Sequence, residues 1–180
     1  MTGRFIAVVG PSGVGKDSVM RAMAAAEPRI VLARRVITRP SDAGGEDFDG
    51  VDDARFTNMV AEGAFALHWP AHGLRYGIPV TLDAELDAGR DVVANLSRRS
   101  LATAKARYEN FMVISLTASR QVLAERLAAR GRENADEVAR RLAQADFDVP
   151  PEFTPLTIAN DGPLQTTVTA ALAALYPVSA

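Results

Sequence analysis

Phe5-Ile6-Ala7-Val8-Val9, followed at once by Gly10-Pro11-Ser12-Gly13-Val14-Gly15-Lys16-Asp17-Ser18, is the stretch on which the fold turns. An unbroken apolar run of this length reads as a strand buried on both faces, and the glycine-rich segment carries the chain from it straight into a helix. Such a turn presents successive backbone N–H groups, and the helix N-terminus adds partial positive charge, so the segment is suited to bind phosphate. Gly10, Gly15 and Lys16 keep the spacing of the P-loop pattern, in which the lysine reaches the β- and γ-phosphates of a nucleoside triphosphate. Residues Gly10, Pro11, Ser12, Gly13, Val14, Gly15, Lys16, Asp17 and Ser18 are therefore the candidate phosphate-binding loop. The pattern breaks at one position, where Asp17 replaces the usual Ser or Thr. A carboxylate facing a polyphosphate is repelled unless a divalent cation lies between them. Magnesium accepts carboxylate, phosphate and water oxygens together, which makes Asp17 the candidate metal ligand. Ser18 is the weaker choice, since one step along a helix turns the side chain by about 100 degrees.

The 180 residues suit one main domain, expected to span 1–180. A formal net charge of −2 supplies no basic field for nucleic acid, and no apolar stretch is long enough to cross a bilayer. The start of the chain runs into a strand without a charged-then-apolar leader, and the expectation is cytoplasmic residence. Cysteine is absent, which excludes disulfides and thiolate metal sites, and His68 and His72 alone do not make a typical zinc centre. Lys16 and Lys105 are the only lysines. Positive charge otherwise rests on arginine, whose planar fork suits bidentate phosphate contacts.

Outward from the loop, Lys16–Ala26 reads as a helix stopped by Glu27-Pro28. Val31 to Thr38 contains a strand leading into Arg39-Pro40, and the turn-rich Ser41 to Gly50 reads as a loop. Asp52 to Glu62 is a short helix ending at Gly63, and two strands around the turn Ala71-His72-Gly73 form a hairpin. Val80 to Asp87 is helical and Val92 to Leu96 a further strand. Ser100 to Arg107 (helix), Phe111 to Leu116 (strand) and Ser119 to Arg130 (helix, with Thr117 as cap) follow. Asn134 to Ala145 is helical, Leu156 to Ala159 a short strand and Leu164 to Leu175 a terminal helix. Strands separated by helices argue for a parallel α/β sheet with ligands at the strands' carboxyl ends.

This order of parts resembles the guanylate kinase family: a P-loop, a Thr38-Arg39 acceptor loop, an insertion from Gly63-Ala64-Phe65 to Arg75-Tyr76-Gly77, an Arg-Leu…Arg-Gly lid and a late Asn160-Asp161. The resemblance implies an α/β P-loop kinase fold, a parallel sheet flanked by helices, with a small β-rich acceptor-binding insertion at about 34–79 and a helical lid at about 126–145. The departures fall where guanylate kinases read guanine. The glutamate of their insertion aligns with Leu67, the hydroxyl pair after tyrosine-glycine with Ile78-Pro79, and the paired acids after the middle strand with Asn95 and Ser97. A polar base left without these partners loses about 1–3 kcal/mol for each group buried unpaired. Cations accumulate instead: Arg39 and Tyr76 align with acceptor-phosphate ligands, and Arg35, Arg75, Arg98 and Arg99 are additional.

That exchange, with the phrases Arg35-Val36-Ile37-Thr38-Arg39-Pro40, Gly44-Gly45-Glu46-Asp47, Phe65-Ala66-Leu67-His68-Trp69 and Gly73-Leu74-Arg75-Tyr76-Gly77-Ile78-Pro79, is similar to the ribose 1,5-bisphosphate phosphokinase branch of guanylate-kinase-like enzymes, which serves phosphonate degradation. The resemblance implies transfer of a phosphoryl group from ATP, with Mg2+, to ribose 1,5-bisphosphate, giving 5-phosphoribosyl 1-diphosphate. The implied partners are ATP and a small phosphorylated sugar, with neither nucleic acid nor membrane; a homo-oligomer stays open. Lys16, Arg130 and Arg141 are the candidate catalytic residues, with Arg126, Arg132 and Arg140 in the same lid stretch. Arg35, Arg39, Tyr76 and Arg98 are the candidate acceptor ligands, and Asn160 and Asp161 the adenine-side loop. His68, Trp69 and His72 line the sugar pocket or pack the hairpin. Two other readings stand beside this one: guanylate or another nucleoside monophosphate kinase, and a silent guanylate-kinase-like module that binds a protein.

Overall fold

The structure is a computed structural model that describes residues 1–42, 46–129 and 148–177. Five strands form a parallel sheet flanked by helices, in the order β2 (Ile30–Leu32), β7 (Asp91–Asn95), β1 (Phe5–Val9), β8 (Phe111–Thr117) and β9 (Leu156–Ala159). A second sheet runs β4 (Phe48–Gly50), β3 (Arg35–Ile37), β6 (Leu74–Pro79), β5 (Phe65–Ala71). Every residue of β1 is fully buried, the signature of a central strand covered on both faces. Among the described residues no helix is long and apolar enough to cross a membrane. Contacts divide the chain into two compact units, Met1–Ala7 with Arg29–Phe111, and Val8–Pro28 with Met112–Ala180.

In the first unit, β2 and β7 pair in parallel from Ile30 opposite Asp91 to Leu32 opposite Val93. The buried Asp91 carboxylate is satisfied by Arg4, through its backbone N–H at 2.8 Å and its Nε at 3.0 Å. Phe5 stacks on Tyr108 with ring centroids 4.4 Å apart, and the Tyr108 hydroxyl donates to Asp83 at 2.9 Å. Asp83 opens α3 (Asp83–Asp87), and Tyr108 follows α4 (Leu101–Arg107).

The second sheet lies within this unit. Its hairpin turns on His72 and Gly73, both with positive φ (52° and 74°), the geometry that matches the right-handed twist of the paired strands. α2 (Asp53–Ala61) starts where the Asp52 carboxylate accepts from the Arg55 N–H at 2.7 Å, and it buries Phe56 against Phe65, centroids 4.7 Å apart. Phe65 lies so close over Gly77 that a Cβ there would sit 2.4 Å from its ring.

One expectation is refined and one corrected here. Residues 31–38 do contain strand, but not in one piece: Ala33 still bonds Val93 O at 2.9 Å, Arg34 turns out to Asp47 and Asp49, and the chain changes sheet before Arg35. An apolar pattern reports exposure, not which sheet a strand joins. Nor is 41–50 loop throughout, since Phe48–Gly50 pairs in parallel with β3, Arg35 opposite Phe48. Three residues are too few for a periodic signal.

In the second unit, β8 pairs with β9 in parallel from Ile114 opposite Leu156 to Thr117 opposite Ala159. α1 (Lys16–Ala26) buries Val19, Met20 and Met23, and packs against α6 (Leu164–Leu175), which buries Thr167, Val168, Ala171 and Leu175. α1 ends as foreseen, with Glu27 extended before Pro28. The start of α5 (Arg120–Ala129) differs from expectation. Ser119, not Thr117, meets its first amides, with Oγ accepting from the Val122 N–H at 3.4 Å and the carbonyl from Leu123 at 3.0 Å. Thr117 is retained by the strand because Ala159 pairs with it. The helix expected at 134–145 lies outside the described residues.

Candidate active site

The donor loop is shaped by backbone. Gly15 caps α1 with φ 95°, and a Cβ there would lie 2.8 Å from the Asn160 side-chain nitrogen. Gly10 passes the Leu116 carbonyl so closely that a Cβ would approach its oxygen to 2.5 Å. Lys16 folds across the loop, its Nζ donating to Gly10 O at 2.9 Å and Pro11 O at 3.2 Å. Pro11, Gly13 and Val14 are buried, whereas Ser12 and Ser18 are exposed. Asp17 is partly exposed in the first helical turn, where a negative charge also suits the helix dipole. Among the described residues no group of three or more His, Cys, Asp or Glu could hold a metal ion. One carboxylate beside a phosphate loop nevertheless fits magnesium, which keeps several waters and takes one or two carboxylates plus substrate phosphates.

Two side chains grip the loop from behind. Asn160, 4% exposed, donates from Nδ2 to Val14 O at 2.7 Å, and its Oδ1 accepts from Thr167 Oγ1 at 2.7 Å. Arg126 Nη1 reaches the same Val14 oxygen at 3.2 Å. Asp161 turns the other way and accepts from the Ser119 backbone N–H at 2.6 Å. That bond, with the Ser119 side chain behind it, holds the Asp161 carboxyl below the usual carboxylate range. The sequence pointed to Asn160 and Asp161 as a pair; the pattern carried no sign of Thr167 or of the Val14 carbonyl. Arg130 and Arg141, with Arg132 and Arg140, lie outside the described residues.

Two of the four acceptor candidates, Arg35 and Tyr76, lie on one face of the second sheet. Register puts Leu67 opposite Ile78 and Trp69 opposite Tyr76, all on that face because alternate residues point the same way. Tyr76 stacks on Trp69 (centroids 5.7 Å, planes 9° apart), and the Arg35 guanidinium lies 5.0 Å from its ring centre. Burial raises the Tyr76 pKa against the opposing pull of Arg35 and Arg39, so the phenol stays protonated at neutral pH and can donate. Arg35 is 8% exposed; its Nε donates to Glu46 Oε2 at 2.9 Å, its Nη2 to Glu46 Oε1, and its Nη1 to the Asn95 carbonyl at 3.0 Å. Arg39 lies over the Phe48 ring at 4.3 Å.

Leu67 and Ile78 are 2% and 0% exposed, so the positions aligned with base-reading groups are filled with packed hydrocarbon. Arg75 is separated from this group by the strand pleat. It sits over Phe56 at 4.4 Å and donates to Thr57 Oγ1 at 2.8 Å. Arg98 is exposed in the short 3-10 turn Arg98–Ser100, where Ser97 Oγ accepts from the Arg99 N–H at 3.3 Å. Among the histidines, His68 is exposed and His72 forms the hairpin turn. Glu46 was the residue that sequence reasoning missed. Its signal was present in Gly44-Gly45-Glu46-Asp47, but an acid was not sought where phosphate was expected.

A strand-to-helix glycine-rich loop ending in Lys16, on a five-stranded parallel sheet flanked by helices, is the arrangement of a P-loop kinase. The fold is similar to guanylate kinase from Anaplasma phagocytophilum (TM-score 0.66, 20% identity, 97% of this chain and 85% of that one). It is also similar to a gluconokinase from Sinorhizobium meliloti 1021 (TM-score 0.54, 23% identity, 97% and 91%). In sequence, the chain belongs to the ribose 1,5-bisphosphate phosphokinase family. It is 54% identical over 148 residues to ribose 1,5-bisphosphate phosphokinase PhnN of Ruegeria sp. (strain TM1040), covering 82% of this chain and 78% of that protein. Identity to the protein of the same name in Brucella melitensis biotype 2 is 50% over 150 residues, covering 81% and 78%. A bifunctional ribose 1,5-bisphosphokinase-thymidine phosphorylase of Cupriavidus necator is 49% identical over 165 residues; the match covers 91% of this chain but 28% of that longer protein. No protein-family model matches the chain.

Proposed function

We propose that this chain transfers the γ-phosphoryl group of ATP to ribose 1,5-bisphosphate, forming 5-phosphoribosyl 1-diphosphate and ADP. The observation that carries the choice of acceptor is the packed Leu67–Ile78 pair beside Arg35, Arg39 and Tyr76. A guanine brought there would leave its hydrogen-bonding edge unpaired against hydrocarbon, whereas phosphate groups find cations and a phenol donor. The relatives named for ribose 1,5-bisphosphate support the same assignment.

In this reaction an oxygen of the 1-phosphate, already ionised at neutral pH, attacks the γ-phosphorus in line. The bond from that phosphorus to the β,γ-bridging oxygen breaks, and ADP leaves with the electron pair. No general base is needed, so positioning and charge neutralisation supply the acceleration. Lys16 and the N–H groups from Gly10 to Ser18 hold the donor's phosphates. Magnesium, once bound with ATP, neutralises phosphate charge, and Asp17 is the residue that would hold it. Arg35, Arg39, Tyr76 and Arg98 bind the acceptor's phosphates, with Arg35 held beside Tyr76 by its contacts with Glu46 and Asn95. Arg130 and Arg141 stabilise charge on the transferring group, and Asn160 with Asp161 flanks the adenine side. The chain works in the cytoplasm on these two small molecules, with homo-oligomerisation open.

The test is product identification after mixing the protein with ATP, magnesium and a panel of phosphorylated sugars and nucleoside monophosphates. The expected result is the diphosphate of ribose 5-phosphate as the preferred product. Clear preference for guanosine monophosphate overturns the assignment, as does the absence of any ATP-dependent product.

A further inference from the structure

We infer that Asn160 is a positioning residue for the donor loop: it locks the Val14–Gly15 peptide so that the Gly15 N–H is turned into the phosphate cradle. In a trans peptide the carbonyl of one residue and the N–H of the next point to opposite sides. The Val14 oxygen is drawn inward by Asn160 Nδ2 at 2.7 Å and by Arg126 Nη1 at 3.2 Å. The Gly15 N–H is thereby sent outward, to the side from which phosphate approaches.

The amide of Asn160 has one workable orientation. A carbonyl oxygen only accepts, so the atom facing Val14 must be the NH2 group, and the oxygen then faces Thr167 Oγ1 at 2.7 Å, which donates. Thr167 is 2% exposed on α6, and the Asn160 backbone N–H is itself anchored to Thr117 O at 2.8 Å. Asn160 is thus buried and directed at the Val14 carbonyl, and Thr167 is buried and directed at the Asn160 amide oxygen, a geometry suited to holding a peptide plane. The same geometry explains Gly15, because any Cβ at that residue meets Asn160 Nδ2 at 2.8 Å. The P-loop glycine and the distant asparagine are two halves of one contact.

This inference rests on the donor half of the proposed function, that the loop binds ATP, and not on the identity of the acceptor. It is tested by equilibrium binding of magnesium-ATP to the full chain, with acceptor KM and the thermal midpoint without nucleotide measured alongside. Asn160→Asp keeps the shape but points an oxygen at the Val14 oxygen; it is expected to weaken ATP binding about tenfold or more. Thr167→Val removes the donor that fixes the amide and is expected to weaken ATP binding by about threefold, whereas Thr167→Ser restores it. Acceptor KM is expected to stay within twofold in all three.

Should Asn160→Asp fail to fold, the Thr167 pair decides alone. ATP affinity unchanged in folded Asn160→Asp, or in Thr167→Val, overturns the inference. So does a fall in ATP affinity matched by an equal rise in acceptor KM, which marks general loosening. A wild-type protein that binds ATP but leaves ribose 1,5-bisphosphate unphosphorylated refutes the substrate assignment and leaves the Asn160 comparison intact.

Discussion

The proposed donor loop and the proposed acceptor face would handle phosphate by different means. In the loop the backbone makes the site, and side chains such as Lys16, Asn160 and Arg126 grip carbonyl oxygens to set its shape. On the proposed acceptor face side chains take that part: Arg35, Tyr76 and Trp69 form a row across β3, β6 and β5, next to the hydrocarbon of Leu67 and Ile78. A backbone cradle accepts any chain of phosphates and says little about what is attached to them. On the proposed assignment the side-chain face decides the acceptor, as much by what it fills as by what it offers.

The separation is broken most severely if Lys16 proves to serve both regions. Lys16→Ala is expected to lower kcat by about a thousandfold, since in the proposed mechanism its ammonium acts where charge develops. Acceptor affinity, read by calorimetry with the sugar bisphosphate alone, is expected to hold within twofold; a parallel loss would merge the two regions. Next in size is Leu67→Glu, which restores the guanylate kinase residue type. Because position 67 is 2% exposed and faces Ile78, the carboxylate would be buried without a partner. The expected outcome is a loss of about 3–5 kcal/mol in urea unfolding with no gain of guanosine monophosphate phosphorylation. A stable Leu67→Glu protein that phosphorylates the nucleotide would show that one side chain, not a packed face, sets the choice.

How much of each region the sequence revealed follows from the same contrast. The loop's needs are local, a strand, glycines and a lysine at fixed spacing, so β1, α1 and the cradle between them were legible residue by residue. β9 and α6 were also recovered, because proline and glycine punctuate that part of the chain. The acceptor face needs partners far apart in sequence. Tyr76 was singled out through the resemblance and Arg35 as an additional cation, but Glu46 was not, because its pairing with Arg35 is a property of the folded sheet. Arg75 illustrates the converse. Its neighbour Tyr76 faces the cations, and the alternation of a strand sends Arg75 to Thr57 instead. The roles of Asn160 and Thr167 were hidden for a related reason, since the group they hold is a backbone carbonyl and leaves no mark in residue types.

Glu46→Gln sharpens the comparison at an intermediate scale. The amide still bonds Arg35 but removes the charge that neutralises it, in a pair whose side chains are 9% and 16% exposed. Acceptor KM is expected to rise about tenfold as Arg35 loses its fixed position beside Tyr76, with ATP KM unchanged. An equal change in both constants would make Glu46 part of the donor machinery instead.

The smallest expected effect belongs to Asp161, whose carboxylate accepts the Ser119 N–H at the start of α5 in the donor unit. That bond favours the ionised form and lowers the pKa. A group with a depressed folded pKa contributes stability above its unfolded value, and loses that contribution as pH falls through the folded value. Asp161→Asn keeps an acceptor oxygen but not the charge, so the wild type is expected to be slightly more stable at pH 6. The gap should close as the solution is acidified below about pH 4, where the wild-type carboxyl is increasingly protonated. Paired urea titrations across that range read the difference directly. A gap that persists or widens in acid would mean that the Asp161 charge does not hold Ser119. The donor unit would then owe the placement of α5 to neutral contacts alone, such as the Val122 N–H bond to Ser119 Oγ.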